Sequence, residues 1–176
     1  AILLRWSLCI LEGRKPKNFG KSVAEPPMSN IFIRRMGLLD IDAVLLVEQA
    51  SFSTPWSRAA FESEICNNEL THYLVVCVEK QVIGYAGMWV IVDEAHVTNI
   101  AILPEHRGKG IGENLLIALK EAAASRGAAR MTLEVRPSNY AAQKLYEKLG
   151  FNRAGVRKHY YTDTKEDAII MWCDRL

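Results

Sequence analysis

The stretch that most restricts what this chain can fold into is PEHRGKGIGENLL, residues 104–116. Gly108, Gly110 and Gly112 fall within five residues, with Arg107 and Lys109 among them. A largely apolar run, Val97 to Leu103, precedes them. A helical pattern follows, with Ile111, Leu115, Leu119 and Ala122 as its apolar stripe and Gly127 as its stop. Strand, glycine loop and helix in that order open a crossover unit of a sheet. The start of a helix offers unpaired backbone N–H groups and a partial positive charge. Glycines let that backbone approach an anion closely, and the two cationic side chains add full charge. The arrangement suits a pyrophosphate; a tight strand-to-helix connection with solvated charges is the plainer alternative.

The rest of the chain surrounds this unit with mixed elements. NIFIRRM reads as a short strand, and LLDIDAVLLVEQAS as a helix with Leu39, Ala43, Leu46 and Val47 on one face. STPWSRAAFESEICNN holds a turn and a second helix, with Ser57 as N-cap. Residues 72–103 are rich in strand, with a hairpin turn at Glu79-Lys80-Gln81. ARMTLEVR is a strand, SNYAAQKLYEKLG a helix ending at Gly150, and FNRAGVRKHYY and EDAIIMWCDRL two closing strands. The order is mixed α/β, with an antiparallel meander leading into a parallel strand–helix–strand unit.

At 176 residues the chain is expected to form one domain. The first 27 residues differ from the rest: a short apolar stretch interrupted by Arg5, then KPKNFGKS and EPP. The apolar part is too short to span a membrane and lacks a secretory signal's basic start and cleavage site. We expect residues 1–27 to be a tail or appended segment outside the fold, and residues 28–176 to be the domain. A net charge of +2 gives no bulk reason for nucleic-acid binding, so any phosphate site must come from local clustering. Cys9, Cys66, Cys77 and Cys173 form no metal-binding spacing and fit isolated thiols in a reducing cytoplasm. No metal, membrane or nucleic-acid site is expected.

Two phosphate-binding motifs compete with the loop. Gly20-Lys21-Ser22 imitates the end of a P-loop, but the glycine that motif needs at 15 is Lys15. Gly108, Gly110 and Gly112 resemble the start of a dinucleotide fingerprint, with Glu134 where a ribose-binding acid would fall. Against this, Glu113 occupies the third glycine position, Leu103 to Arg107 delay the turn, and only about 40 residues follow Glu134.

RGKGIG, preceded by VTNIAI and Pro104, resembles the R/Q-x-x-G-x-G/A acetyl-CoA loop of the GNAT N-acetyltransferases. LEVRPSNYAAQKLYEKLGF resembles the later segment of that family. Within it, PWS at 55–57, DEAHVTNIAI at 93–102, LEVRPSN at 133–139, LYEKLGF at 145–151, and RKHYY with EDAIIM are similar to the ribosomal-protein-alanine N-acetyltransferases, the RimI group. These segments cover about residues 31–172, and residues 1–27 have no counterpart. The resemblance implies a single domain with a mixed sheet of six or seven strands and about four helices, splayed open between the strands 97–103 and 130–135. Acetyl-CoA would lie in the gap. Its pyrophosphate would meet Arg107, Gly108, Lys109, Gly110, Ile111 and Gly112, and its pantetheine arm would pair with the backbone of Ile100, Ala101 and Ile102.

The resemblance also implies roles for single residues. In RMTLEVR, Met131, Leu133 and Val135 share one face and Thr132 and Glu134 the other, so Glu134 faces away from the apolar set. The family match makes Glu134 the general base and Tyr146 the general acid that protonates the CoA sulfur; plain alternatives are a solvated strand glutamate and a core tyrosine. Asn139 either contacts pantetheine or caps its helix. Glu94 and His96 border the site as water-mediated relays or as solvated turn residues. His106 reads as a surface residue on the cofactor side. Trp56, Phe52, Tyr160 and Tyr161 either line an acceptor groove or pack as ordinary aromatics; Trp56, Glu94 and Tyr160 are the acceptor contacts expected. An α-amino group has a pKa of about 7.7–8.0 against roughly 10.4 for lysine, so a carboxylate deprotonates it more readily. With the subgroup resemblance, this points to the N-terminal alanine of a small-subunit ribosomal protein as acceptor, and to a monomeric, cytoplasmic enzyme. The alternatives are transfer to lysine or a small amine, and a non-catalytic acyl-CoA-binding module.

Overall fold

A computed structural model describes residues 7–9 and 31–176. In chain order the elements are β1 (Ser7–Cys9), β2 (Ile31–Arg35), a 3₁₀ turn (Leu38–Asp40), α1 (Ile41–Ser51), α2 (Arg58–Asn67), β3 (Thr71–Val78), β4 (Gln81–Ile91), β5 (Glu94–Ile102), a second 3₁₀ turn (Pro104–His106), α3 (Ile111–Ser125), β6 (Arg130–Val135), α4 (Tyr140–Lys148), β7 (Asn152–Arg157) and β8 (Ala168–Cys173). Seven strands follow the order β2-β3-β4-β5-β6-β8-β7, and β1 pairs with β5 off that path. The expected mixed sheet and four helices are therefore present. Strands β2 to β5 form an antiparallel meander, β5 and β6 run parallel across α3, and β8 lies between β6 and β7. This is not the doubly wound parallel sheet that a dinucleotide needs.

Two apolar clusters hold the layers together. On one face, Ile111, Leu115, Leu116 and Leu119 of α3 and Ala142 and Tyr146 of α4 pack with Val97, Ile100, Met131, Leu133 and Val135. On the other, Ile41, Val44 and Val47 of α1 and Phe61 of α2 pack with Tyr73, Val75, Tyr85 and Ala101. Each fully buried aliphatic or aromatic side chain contributes on the order of 1.5–3 kcal/mol relative to exposure.

Only half of the apolar face expected for α1 turns inward: Val47 is buried and Ala43 packs against the core. Leu39 and Leu46 are exposed, while Ile41, Val44, Val47, Glu48 and Ser51 are buried. Leu39 lies in the 3₁₀ turn before the helix, where the winding is tighter, so its angular position does not carry into α1. Other sequence signals hold: Ser57 Oγ accepts the Ala60 N–H, the β3–β4 turn falls at Glu79-Lys80, and Gly127 follows α3 in the left-handed region, whereas the strand expected over FNRAGVRKHYY stops at Arg157.

The sheet parts between β5 and β6. Strands β5 and β6 pair only from Glu94, Ala95 and His96 to Arg130, Met131 and Thr132. Just beyond, the β4–β5 register shifts between Gly87 and Met88, which face Asn99 and Val97 and leave Thr98 as the extra residue. Such a bulge bends its strand and increases the local twist. From there β6 continues along β8, and β5 presents a separate edge.

The expectation that residues 1–27 stand outside the fold falls largely outside the described residues. Where it can be read, at Ser7–Cys9, the backbone runs parallel to Asn99–Ala101 of β5, so this piece is paired with the sheet rather than apart from it.

Candidate active site

The glycine loop is built as an open cradle. Gly108 and Gly110 have φ of +74° and +77°, a region that disfavours side chains, and a Cβ added at either would meet nothing within 4 Å. Gly110 is the N-cap of α3, and Ile111 and Gly112 form its first turn, so backbone N–H groups at this end have no intrahelical acceptor. Lys109 is exposed. Arg107 is drawn to the base of the loop: Nε donates to the Ile102 carbonyl at 2.7 Å, and Nη2 to Ser51 Oγ at 3.1 Å. It thereby ties the end of β5 to the end of α1.

Beside the loop, the β5 edge at Ile100, Ala101 and Ile102 is competent to bind extended backbone, because Ser7–Cys9 pair with its Asn99–Ala101 portion. A pantetheine arm with its two amides has the same requirement. The open cradle at a helix start and a strand edge free of β6 together fit a CoA-type molecule.

Glu134 and Tyr146 lie on opposite faces of the sheet. Tyr146 is fully buried in the α3–α4 cluster, its ring 5.9 Å from that of Phe151. Glu134 faces the α1–α2 side, opposite Leu133 and Val135, and is 4% exposed. Its Oε2 is buried without a hydrogen-bond partner, and its Oε1 lies 3.4 Å from the Arg157 guanidinium. Burial pushes the carboxyl pKa up, and Arg157 opposes this only in part. A carboxylate short of water and of hydrogen bonds is a stronger proton acceptor than a solvated one. Asn139 caps α4, its Oδ1 accepting the Ala142 N–H at 3.2 Å.

Glu94 and His96 are not brought to the gap. They sit at the joined end of β5 and β6, where Glu94 bonds to Arg130 and lies 3.1 Å from His96 Nε2. Glu94 stands four residues before Thr98, roughly 13 Å along a strand. His106 ends the second 3₁₀ turn on the loop side.

Two connections, between α1 and α2 and between β7 and β8, meet through the Ser53 hydroxyl and Asp163. In the α1–α2 connection, Phe52 is buried and the Trp56 N–H donates to Glu48 Oε1 at 2.9 Å. The Trp56 ring leans on Phe61. In the β7–β8 connection, Tyr160 is half-buried and Tyr161 is buried, with its hydroxyl unpartnered and close enough to Glu134 to feel its charge.

Four residues here were given no role by the sequence: Glu48, Ser53, Asp163 and Arg136, the last lying inside the LEVRPSN segment. Glu48 is 1% exposed, bonds to the Tyr85 hydroxyl, and has its pKa pushed by burial up to about 7. Arg136 Nη2 donates to both Asp163 carboxylate oxygens at 2.9 Å, and Asp163 accepts the Ser53 hydroxyl at 2.5 Å. Burial alone would raise the Asp163 pKa, but Ser53 and Arg136 overrule it and hold the carboxyl at about 2. Arg136 could have been noticed as the cation two residues past Glu134; its partners could not.

The family profile described as Acetyltransferase (GNAT) family matches residues 41–151. A Bacillus subtilis protein, provisionally named a ribosomal protein bS18-alanine N-acetyltransferase, is 46% identical over 140 residues, covering 80% of this chain and 93% of its own. The Escherichia coli K12 ribosomal protein bS18-alanine N-acetyltransferase is 41% identical over 134 residues, covering 75% of this chain and 89% of its own. The crystal structure of the ribosomal-protein-S18-alanine N-acetyltransferase from E. coli superposes with a TM-score of 0.76 at 37% identity, covering 84% of this chain and 96% of that one.

Proposed function

Since the chain belongs to the acetyltransferase (GNAT) family, whose cosubstrate is acetyl-CoA, we propose that it transfers an acetyl group to the N-terminal α-amino group of a protein, the alanine of ribosomal protein bS18. The reaction is direct attack. Glu134 takes the proton of the acceptor amine as it attacks the thioester carbonyl, and Tyr146 gives its proton to the departing thiolate. The observation that carries this reading is the Glu134 carboxylate, buried with one oxygen unpartnered, on the face opposite Tyr146 and beside the parted strands. Acid and base on opposite sides of the gap suit a carbonyl that gains an amine on one side and loses sulfur on the other.

Binding precedes this chemistry. The backbone from Gly108 to Gly112 receives the pyrophosphate, Lys109 adds charge, and Ile100 to Ile102 align the pantetheine so that the thioester reaches the gap. A β5 backbone N–H in the parted segment holds the acetyl carbonyl and stabilises the charge that develops on it. Trp56 and Tyr160 line the approach of the acceptor. The enzyme acts as a monomer in the cytoplasm, where new ribosomal proteins are made.

The test offers peptides beginning with alanine and other residues, together with lysine peptides and small amines, with acetyl-CoA, and reads acetylation by mass. The reading expects the peptide with the bS18 N-terminus to be acetylated on its α-amine, well ahead of every lysine. Preferential lysine or small-amine acetylation would overturn the acceptor, and binding of acetyl-CoA without transfer to any amine would leave an acyl-CoA-binding module.

A further inference from the structure

The β7–β8 connection, residues 158–167, contains two backbone positions that are costly for their residue types. His159 and Lys165 have φ of 52° and 59°, a region costly for residues with a side chain. Such conformations persist where surrounding contacts over-determine them. At the base of the connection, Asp167 accepts from Lys158 Nζ at 2.7 Å and from the His159 N–H at 2.9 Å. At its far end the bracing comes from Arg136. Besides its two bonds to Asp163, Arg136 donates to Thr164 Oγ1 at 2.5 Å, and its guanidinium lies 3.8 Å from the centre of the Tyr161 ring.

Asp163 also reaches out of its own loop. It accepts the hydroxyl of Ser53, 110 residues away in the chain, at 2.5 Å. Ser53 lies in the α1–α2 connection, which is pinned by buried Phe52 and by the Trp56 N–H bond to Glu48. The bridge from Arg136 through Asp163 to Ser53 therefore joins two braced walls across the sheet face that bears Glu134. Arg136 follows Glu134 by two residues, so the bridge is anchored to the strand that carries the proton acceptor.

We propose that Arg136 is a positioning residue that, through Asp163 and Ser53, fixes the width of the acceptor groove and so discriminates against bulky first residues in the acceptor. The proposal rests on the reading of the site as an N-terminal acetyltransferase. Arg136 touches neither the cofactor nor the reacting atoms in this role. It sets the separation of the walls that carry Trp56 and Tyr161. A groove of fixed width admits a small first side chain at no cost, whereas a large one must break the Ser53–Asp163 bond to enter.

The test compares wild type with Ser53→Ala, Asp163→Ala and Arg136→Lys, using peptides that differ only in beginning with alanine or phenylalanine. Removing the bridge should shrink the alanine-over-phenylalanine ratio of kcat/KM by roughly tenfold, the worth of one hydrogen bond to a charged group. The KM for acetyl-CoA should stay unchanged, and Ser53→Thr, which keeps the hydroxyl, should restore the ratio. An unchanged ratio in folded Ser53→Ala and Asp163→Ala would overturn the proposal, as would a parallel loss for both peptides that Ser53→Thr fails to restore. If wild type acetylates no peptide, the functional reading falls, and the bridge is judged by amide exchange. Asp163→Ala should then speed exchange in residues 52–57 and 158–167 together, and unchanged protection there would sink it.

Discussion

The two halves of the proposed site are made in different ways. The cofactor half is contiguous in sequence and built largely of backbone: the β5 edge, Gly108 to Gly112 and the first turn of α3 follow one another within residues 99–112. The acceptor half is assembled from side chains on four separate segments, Glu48, Ser53, Glu134 to Arg136, and Tyr160 to Asp163. Backbone recognition depends on conformation, so its failures should appear in cofactor affinity. Side-chain recognition depends on specific charges and hydroxyls, so its failures should appear in turnover, in acceptor choice and in pH dependence.

The largest effect should come from Glu134→Gln. It keeps the shape of the side chain but cannot take a proton, and turnover should fall by roughly 10²–10⁴-fold, the usual worth of a general base. The KM for acetyl-CoA should hardly move, and the defect should lessen as pH rises past the α-amino pKa. An equal loss of acetyl-CoA affinity would erase the division between the halves.

Gly110→Val should do the opposite. A branched residue at φ +77° is strained by about 1–3 kcal/mol and crowds the open cradle. The KM for acetyl-CoA should rise roughly tenfold to a hundredfold at about 1.4 kcal/mol per tenfold, with acceptor choice intact. Unchanged affinity in a folded variant would remove the loop from the site.

Glu48 gives a pH test on the acceptor side. Burial lifts its carboxyl from the ordinary 4.5 to about 7. Between those values the folded state holds a proton that the unfolded state has released, so stability falls as pH rises through this window. The loss attributable to Glu48 is on the order of 3 kcal/mol. Glu48→Gln should flatten that slope in denaturant titrations at pH 5 and pH 8; an undiminished slope would assign it to other groups.

The smallest effect is expected from a chain beginning at Met28. It should fold, and with Ser7–Cys9 gone from the β5 edge its acetyl-CoA KM should not increase. Failure to fold, or weakened cofactor binding, would make the early residues part of the cofactor half.

The same division explains what the sequence made legible. Glycine spacing, the α3 stripe and the alternation that turns Glu134 away from Leu133 and Val135 are local patterns, and each appears in the structure where its periodicity puts it. The α1 face was only half legible: Ala43 and Val47 pack inward, but counting apolar residues also favoured Leu39 and Leu46 and passed over Glu48. Glu48 accepts a hydrogen bond from a tyrosine 37 residues away, a fact with no local trace. The interposition of β8 between β6 and β7 was equally hidden, since either of the last two strands could have paired with β6. The bridge from Arg136 to Ser53 depends on that arrangement and on strained turns whose residues, His159 and Lys165, are not the glycines that usually announce them.

The measurement that bears most directly on the mechanism varies the leaving group. A CoA thiol resembles cysteine, with a pKa near about 8.5, so its departure at neutral pH benefits from a proton donor. Acetyl thioesters of more acidic thiols should restore the rate of Tyr146→Phe toward that of wild type and leave Glu134→Gln as slow as before. Equal restoration of both variants, or of neither, would contradict the assignment of Glu134 as base and Tyr146 as acid.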